Sequence, residues 1–241
     1  GTGVFVISKD EFKKIFRDIN IEEKNVIVRL YKNSDIKKYV TVSNTDYYVF
    51  YFDNKISEEK FKLTYPKIYN HLLKFKPLIS KIRGSNNESL DSWFKLDRPR
   101  VSNIFTQPKI VAPQRSKSNT FGYNEINWHA SADVYYIIEK DETLKLKYVL
   151  ALLNSKLYYK WLYYKGKRKG EMLELYQKPL SEIPIKKAEI EIQKTFEKKI
   201  DEILKIKGGN PDQDVTVIAN DIDNMVYELY GLSEEEIKIV E

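Results

Sequence analysis

The densest cationic stretch of the chain runs from Thr143 to Gly170 and holds eight lysines and arginines and no acid. It ends in Tyr158-Tyr159-Lys160-Trp161-Leu162-Tyr163-Tyr164-Lys165-Gly166-Lys167-Arg168-Lys169-Gly170. Lysine ammonium groups are point charges matched to phosphates, and neutralising phosphates releases counterions from DNA. The glycines flanking Lys167-Arg168-Lys169 read as the ends of an exposed, adaptable loop. Lys165, Lys167, Arg168 and Lys169 are therefore candidate phosphate contacts, against the plainer reading of a solvated loop. The aromatics could stack on bases, but aromatics at helical spacing more often form core.

A second cluster, Pro108 to Tyr123, carries Gln114, Arg115, Lys117 and Asn119 in a polar loop between two β-rich runs. Arginine and lysine pair with guanine edges in the major groove, and glutamine and asparagine with adenine. A loop held by rigid strands suits such readers. Taken alone, an ordinary hairpin loop explains the cluster equally well. Arg98 and Arg100, just upstream, add positive charge.

The charge is segregated along the chain. Residues 1–170 hold 32 Lys and Arg against 18 Asp and Glu, and residues 171–241 hold 9 against 17. A basic body followed by an acidic region suits a protein in which one part faces phosphates and the other does not. A lysine-rich genome accounts for much of the total lysine but not for this segregation.

Other chemistries find little support. With no cysteine and only His71 and His129, the sequence lacks a thiol nucleophile, disulfides and a histidine-rich metal site. No strand-like run leads into a glycine-rich turn that would approach S-adenosylmethionine. No Pro-Pro, and so no Asn/Asp-Pro-Pro-aromatic motif for a flipped adenine, is present. There is no Gly-Lys-Ser/Thr phosphate loop. Glu22-Glu23-Lys24 and Glu58-Glu59-Lys60 have a nuclease-like local form, but such triplets arise by chance in a chain with 35 acids and 41 bases. His129 has no partner nearby in sequence and reads as a structural or surface residue. No apolar run reaches the length of a membrane span. The chain begins without Met on a strand-like run and reads as a fragment of a longer protein.

Several elements must position the two clusters. Ser8 and Glu11 form a capping box ahead of a helix ending near Asn20, after a strand at 4–7. Residues 26–31 and 47–52 read as strands. Pro66 opens a helix, and Pro77 should kink or divide it. Strands are expected at 109–112, 120–123 and 134–138, and helices at 144–153 and 157–164, separated at Asn154-Ser155. A helical hairpin follows, residues 188–207 and 215–230, turning at Gly208-Gly209-Asn210-Pro211.

The sequence resembles the TaqI-like C-terminal specificity domain that follows the catalytic domain of adenine-specific DNA methyltransferases, including single-chain type IIG-like restriction-modification enzymes. The resemblance rests on Thr2-Gly3-Val4-Phe5-Val6-Ile7, on Tyr65-Pro66 through Arg83, and on Trp93 followed by Arg98-Pro99-Arg100. It continues through Pro108-Lys109-Ile110-Val111, Leu152-Leu153-Asn154-Ser155-Lys156-Leu157, Leu180-Ser181-Glu182-Ile183-Pro184-Ile185 and Ile222 to Leu232. It implies an α/β (α+β) fold: a small mixed-sheet recognition domain with peripheral helices, residues 1–185, and a C-terminal helical segment, residues 186–241, packing on it. It also implies a non-catalytic part that binds double-stranded DNA in a cleft shared with a linked or associated methyltransferase domain. S-adenosylmethionine, and magnesium where the parent cuts DNA, would belong to that parent, with no cofactor in this chain. The setting would be bacterial or archaeal cytoplasm, away from membranes. Base-reading residues do not transfer from the family, so Gln114, Arg115, Lys117 and Asn119 rest on chemistry and loop position alone. The alternative is a helical scaffold of a type I-like specificity subunit that binds methylase subunits.

Overall fold

The computed structural model describes residues 3–52, 56–85, 93–96, 99–140 and 142–241. The chain forms two compact units, Gly1–Tyr31 with Asn44–Asn103, and Lys32–Ser43 with Ile104–Glu241. The helical segment beyond residue 185 thus shares a unit with residues 104–185.

In the first unit, β1 (Val6–Ser8) leads into α1 (Lys9–Ile15). The capping box forms as its spacing implies: the Glu11 N–H donates to Ser8 Oγ at 3.2 Å, and the Ser8 N–H to Glu11 Oε2 at 2.7 Å. The helix ends sooner than expected. Asp18 turns the chain with φ of 55°, and Asn20 caps a new helix, α2 (Ile21–Val26), by accepting from the Glu23 N–H. Strand β2 (Ile27–Tyr31) follows, and the chain then leaves this unit to supply β3 (Tyr39–Val40) to the other. It returns with β4 (Tyr47–Phe50), which lies between β1 and β2, antiparallel to both, with Val49 opposite Val6 and Val28.

Helices α3 (Glu58–Thr64), α4 (Pro66–Leu73) and α5 (Lys76–Ser85) complete this unit. Pro66 takes the first position of α4, and Pro77 the second position of α5, so the chain divides at residues 74–75 rather than kinking at the proline. The buried Glu23 carboxylate accepts from the N–H groups of Lys67 and Ile68 at 2.7 and 3.0 Å, closing the positive end of α4. Phe16, Phe50, Phe52, Phe61, Tyr65 and Trp93 dominate the core.

The second unit opens with α6 (Asn103–Thr106), whose first residue is the last of unit 1, and is built on β5 (Lys109–Pro113). This strand continues through Gln114 into β6 (Arg115–Ser116). Then come β7 (Gly122–Asn124), β8 (His129–Ala130) and β9 (Val134–Ile138). The main sheet has the order β3-β7-β5-β9, parallel at β3-β7 and antiparallel elsewhere. Helix α7 (Leu146–Leu153) is apolar nearly all round, and Leu146 and residues 148–153 are buried. Helix α8 (Lys156–Tyr164) starts afresh from Ser155, whose hydroxyl accepts from the Tyr158 N–H.

Two buried amides hold the α7–α8 junction to the approach to β7. Asn154 Oδ1 accepts from the Phe121 N–H at 3.1 Å while its Nδ2 donates to the Phe121 carbonyl at 2.9 Å. Asn119 Nδ2 donates to the carbonyls of Leu153 and Ser155 at 2.7 and 2.8 Å. The hairpin β10 (Arg168–Lys169) and β11 (Met172–Glu174) follows, then α9 (Gln177–Ser181). The C-terminal helices α10 (Ile190–Lys207), α11 (Thr216–Tyr230) and α12 (Glu234–Val240) close the unit, with Phe196, Ile200, Ile203, Ile222 and Val226 joining the core around α7. The fold is α+β, with small mixed sheets and a C-terminal helical hairpin, as the sequence suggests.

Candidate nucleic-acid interface

The two cationic clusters, more than 45 residues apart in sequence, meet in one small sheet. Strand β11 lies at its centre. It pairs antiparallel with β10, Arg168 opposite Leu173 and Lys169 opposite Met172. On its other side it pairs antiparallel with β6, Ser116 opposite Leu173 and Arg115 opposite Glu174. Backbone bonds extend the ladder: the Glu174 N–H donates to Lys167 O, and the Leu175 N–H to Gln114 O, both at 2.8 Å. Because β6 is the direct continuation of β5, a buried strand of the main sheet anchors the cationic one.

The glycines around Lys167-Arg168-Lys169 shape a hairpin, which corrects the expectation of an adaptable loop. Gly170 takes φ of +59° in the two-residue turn between β10 and β11, a conformation that suits glycine. Gly166 packs against the end of α8, where a Cβ would stand 2.5 Å from the Leu162 carbonyl oxygen. The glycines therefore permit a tight turn and a close approach and do not mark a floppy segment.

Glu174 organises the cations. It is buried, at 7% exposure, and its two oxygens serve opposite neighbours. Arg115 Nε donates to Glu174 Oε1 at 3.1 Å, and Lys167 Nζ lies 3.6 Å from Oε2. Lys167 also donates to the Tyr176 hydroxyl and sits over that ring at 4.9 Å. The Tyr176 hydroxyl first, and Glu174 after it, hold the Lys167 ammonium above the ordinary lysine range, so it stays charged at neutral pH. The Arg168 guanidinium lies 3.9 Å above the Tyr163 ring. Lys169 is exposed on β10.

Each residue proposed from sequence can now be placed. Arg115, Lys167, Arg168 and Lys169 belong to the three-stranded sheet, Lys165 is exposed just before it, and Gln114 leads into β6, half-buried. Lys117 is exposed in the turn after β6, where Ser116 and Ser118 share hydrogen bonds with Thr120. Asn119 is 3% exposed with its amide committed to two carbonyls, so it braces the loop and does not present itself as a base reader. Arg100 belongs to the first unit, where its carbonyl accepts from the Tyr51 hydroxyl, and Arg98 lies outside the described residues. His129 is buried, its ring stacked on Phe105 at 4.0 Å. Reasoning from sequence missed Glu174 and Tyr176. The one local signal was the Gly170-Glu171 turn ahead of Met172-Leu173-Glu174, which could have marked a hairpin arm.

Among the described residues, no three His, Cys, Asp or Glu side chains come together as a metal-holding group, and no helix is long and apolar enough to cross a membrane. The arrangement of Arg115, Lys167, Arg168 and Lys169 is a cationic, aromatic-flanked sheet fixed by one internal carboxylate. Its chemistry is that of binding anions and stacking planar groups.

The sequence model of the TaqI-like C-terminal specificity domain matches residues 28–185. The type II methyltransferase M.MjaIV of Methanocaldococcus jannaschii is 26% identical over 227 residues, which cover 92% of this chain and 73% of that protein. M.HindII of Haemophilus influenzae is 31% identical over 161 residues, 64% of this chain and 30% of the relative. M.HincII of Haemophilus influenzae is 28% identical over 193 residues, 76% and 37% respectively. The chain thus spans about a third of the two Haemophilus relatives. Among solved structures, the type IIG restriction endonuclease BpuSI aligns with 91% of this chain and 27% of its own, at 12% identity and a TM-score of 0.45.

Proposed function

This chain belongs to the TaqI-like C-terminal specificity domain family, and from that premise we propose that it is the target-recognition part of an adenine-specific DNA methyltransferase of a restriction-modification system. It binds double-stranded DNA by sequence. The observation that carries the reading is the convergence of Arg115 with Lys167, Arg168 and Lys169 on one sheet around Glu174. Lys167, Lys169 and Lys165 hold phosphates, and Arg115, Gln114 and Lys117 reach base edges from the β5–β7 connection. Methyl transfer, with S-adenosylmethionine, resides in another part of the full-length protein. The residues described here supply binding and orientation of the DNA.

The packing of the C-terminal helices weighs against the scaffold alternative. The apolar stripe formed by Phe196, Ile200, Ile203 and Val226 is buried in the core of their own unit, and what these helices leave exposed is a scatter of single side chains, Val217 and Ile239 the most open.

The test is selection of preferred duplexes from a randomised pool by the purified chain, followed by anisotropy titration of the selected and a scrambled duplex. The expected result is one enriched motif bound at least tenfold more tightly than the scrambled duplex, with Arg115→Ala relaxing preference at one base pair, a loss of about 1–3 kcal/mol of discrimination. Equal affinity for all duplexes, or none for any, refutes the proposal.

A further inference from the structure

Helix α8 carries five aromatic side chains, and burial explains only part of them. Tyr158 is buried, and its hydroxyl bonds with Pro184 O and the Tyr230 hydroxyl, both at 2.8 Å. Trp161 and Tyr159 are half-buried against the same core. Tyr164 is different: it is 72% exposed. Its ring stands 5.1 Å from that of Tyr163 at a near-perpendicular angle, and Tyr163 lies 6.0 Å from Tyr159 and directly beneath Arg168. Among the described residues, the hydroxyls of Tyr159, Tyr163 and Tyr164 have no hydrogen-bond partner. The outer side of α8 is thus an array of planar groups, Tyr159, Tyr163, Tyr164 and the Arg168 guanidinium, next to the cationic hairpin.

An exposed phenol ring is ordinary by itself, but one adjoining two further rings and a stacked guanidinium forms a contiguous planar surface that a flat group could cover. The neighbours select the covering group. Arg168 lies over Tyr163, Lys165 follows Tyr164 directly, and Lys169 is exposed on the same hairpin, which favours an anionic polymer over an apolar protein face. A paired duplex offers base edges, thymine methyls, sugars and phosphates, none of which presents a flat π-face to match the rings of the array. A base that has left its stack offers a π-face beside phosphates, and aromatic rings stack on such bases whatever their sequence.

We propose that the Tyr163–Tyr164–Arg168 array is a stacking site for an unpaired nucleobase adjoining the duplex held by the β10–β11–β6 sheet. The site rests on the DNA-binding reading above and adds to it a preference for DNA that is locally opened. Tyr164 supplies the free ring face, while Arg168 holds Tyr163 and offers its own charge to the adjoining phosphate.

The test compares two duplexes of one sequence, one fully paired and one with a central two-thymine bulge, in anisotropy titrations with the purified chain. Wild-type protein is expected to bind the bulged duplex at least about fivefold more tightly. Tyr164→Ala is expected to erase that preference without weakening binding to the paired duplex, and Tyr164→Trp to retain it. Tyr164 is exposed and outside both cores, so its replacement leaves the fold intact, as an unchanged melting curve would show. Equal binding of the two duplexes by wild type, or a Tyr164→Ala effect of the same size on both, overturns the stacking site while leaving duplex recognition standing. Failure to bind either duplex refutes duplex recognition and the stacking site together.

Discussion

Removing one cation from the sheet has an effect whose size follows from the geometry. Lys169 stands exposed on β10 with no ion pair among the described residues, so its whole charge is available to a phosphate. Each phosphate neutralised on duplex DNA contributes about 0.9 to the slope of log K against log salt. Lys169→Gln should lower that slope by about 0.9. Between 1 M and 0.1 M salt the same term spans one decade, so the variant should bind about eightfold more weakly than wild type at 0.1 M and about equally at 1 M. Lys167 is different, because Glu174 Oε2 lies 3.6 Å from its ammonium group and already answers part of its charge. Lys167→Gln should therefore flatten the slope less than Lys169→Gln. The assay is anisotropy titration of one labelled duplex at five salt concentrations, with thermal melting as the folding control. An unchanged slope for Lys169→Gln shows that β10 does not face phosphates. A larger change for Lys167→Gln shows that Glu174 does not share its charge.

Three further outcomes follow from the packing. Asn154→Ala leaves the buried Phe121 N–H and C=O without their side-chain partner and should destabilise the protein by about 2–4 kcal/mol in urea unfolding, with the melting temperature falling to match. Gly166→Ala brings a Cβ to 2.5 Å from the Leu162 carbonyl, so it should displace the hairpin and weaken DNA binding more than it lowers the melting temperature, a contrast that anisotropy and calorimetry together would read. Lys109 is buried with its ammonium bonded to the carbonyls of Gln107 and Ile126, and burial pushes its pKa down to about 8. The unfolded chain holds that proton up to about pH 10.4, so between these values unfolding takes up a proton and this group's contribution to stability rises with pH. Lys109→Met should remove that rise when the two proteins are unfolded in urea at pH 7.5 and pH 9.5.

The parts of this fold that local sequence could reveal are those whose signal is local. The Ser8–Glu11 box, Pro66 at a helix start and the Ser155 break between two helices each lie within a few residues of their cause, and each is present. The end of α1 was missed because Asn20, apparently the tail of one helix, is the cap of the next. The small sheet was hidden for another reason. Its strands are two or three residues long, too short for any alternation to show, and the pairing that joins the two clusters, β6 with β11, spans more than 50 residues of chain. Asn119 was misplaced because a polar side chain in a polar loop looks exposed. Only the fold shows that two helix-end carbonyls, at Leu153 and Ser155, require its amide.

The presence of Glu174 inside a phosphate-facing sheet needs a physical reason, since an acid there opposes binding. A lone carboxylate about 8 Å from a phosphate repels it by about 0.5 kcal/mol in water-like surroundings and by about 2 kcal/mol at the effective dielectric near a protein surface, but the Arg115 and Lys167 charges held against Glu174 cancel most of either figure. Against this, leaving a long side chain such as Arg115 free in solution and ordering it on contact costs about 0.5–1.5 kcal/mol. The bond from Arg115 Nε to Glu174 Oε1 holds the guanidinium in place beforehand and leaves its terminal nitrogens without a hydrogen bond among the described residues. Ordering therefore equals or exceeds repulsion, and the balance favours sequence reading, where orientation matters, over general phosphate attraction, where it does not. Glu174→Gln should weaken binding to the preferred duplex by up to about fivefold while leaving binding to a scrambled duplex unchanged or slightly tighter, because only the first contact needs an oriented guanidinium. If the variant tightens both complexes equally, Glu174 acts only as a misplaced negative charge, and the case for Arg115 as a held base reader fails.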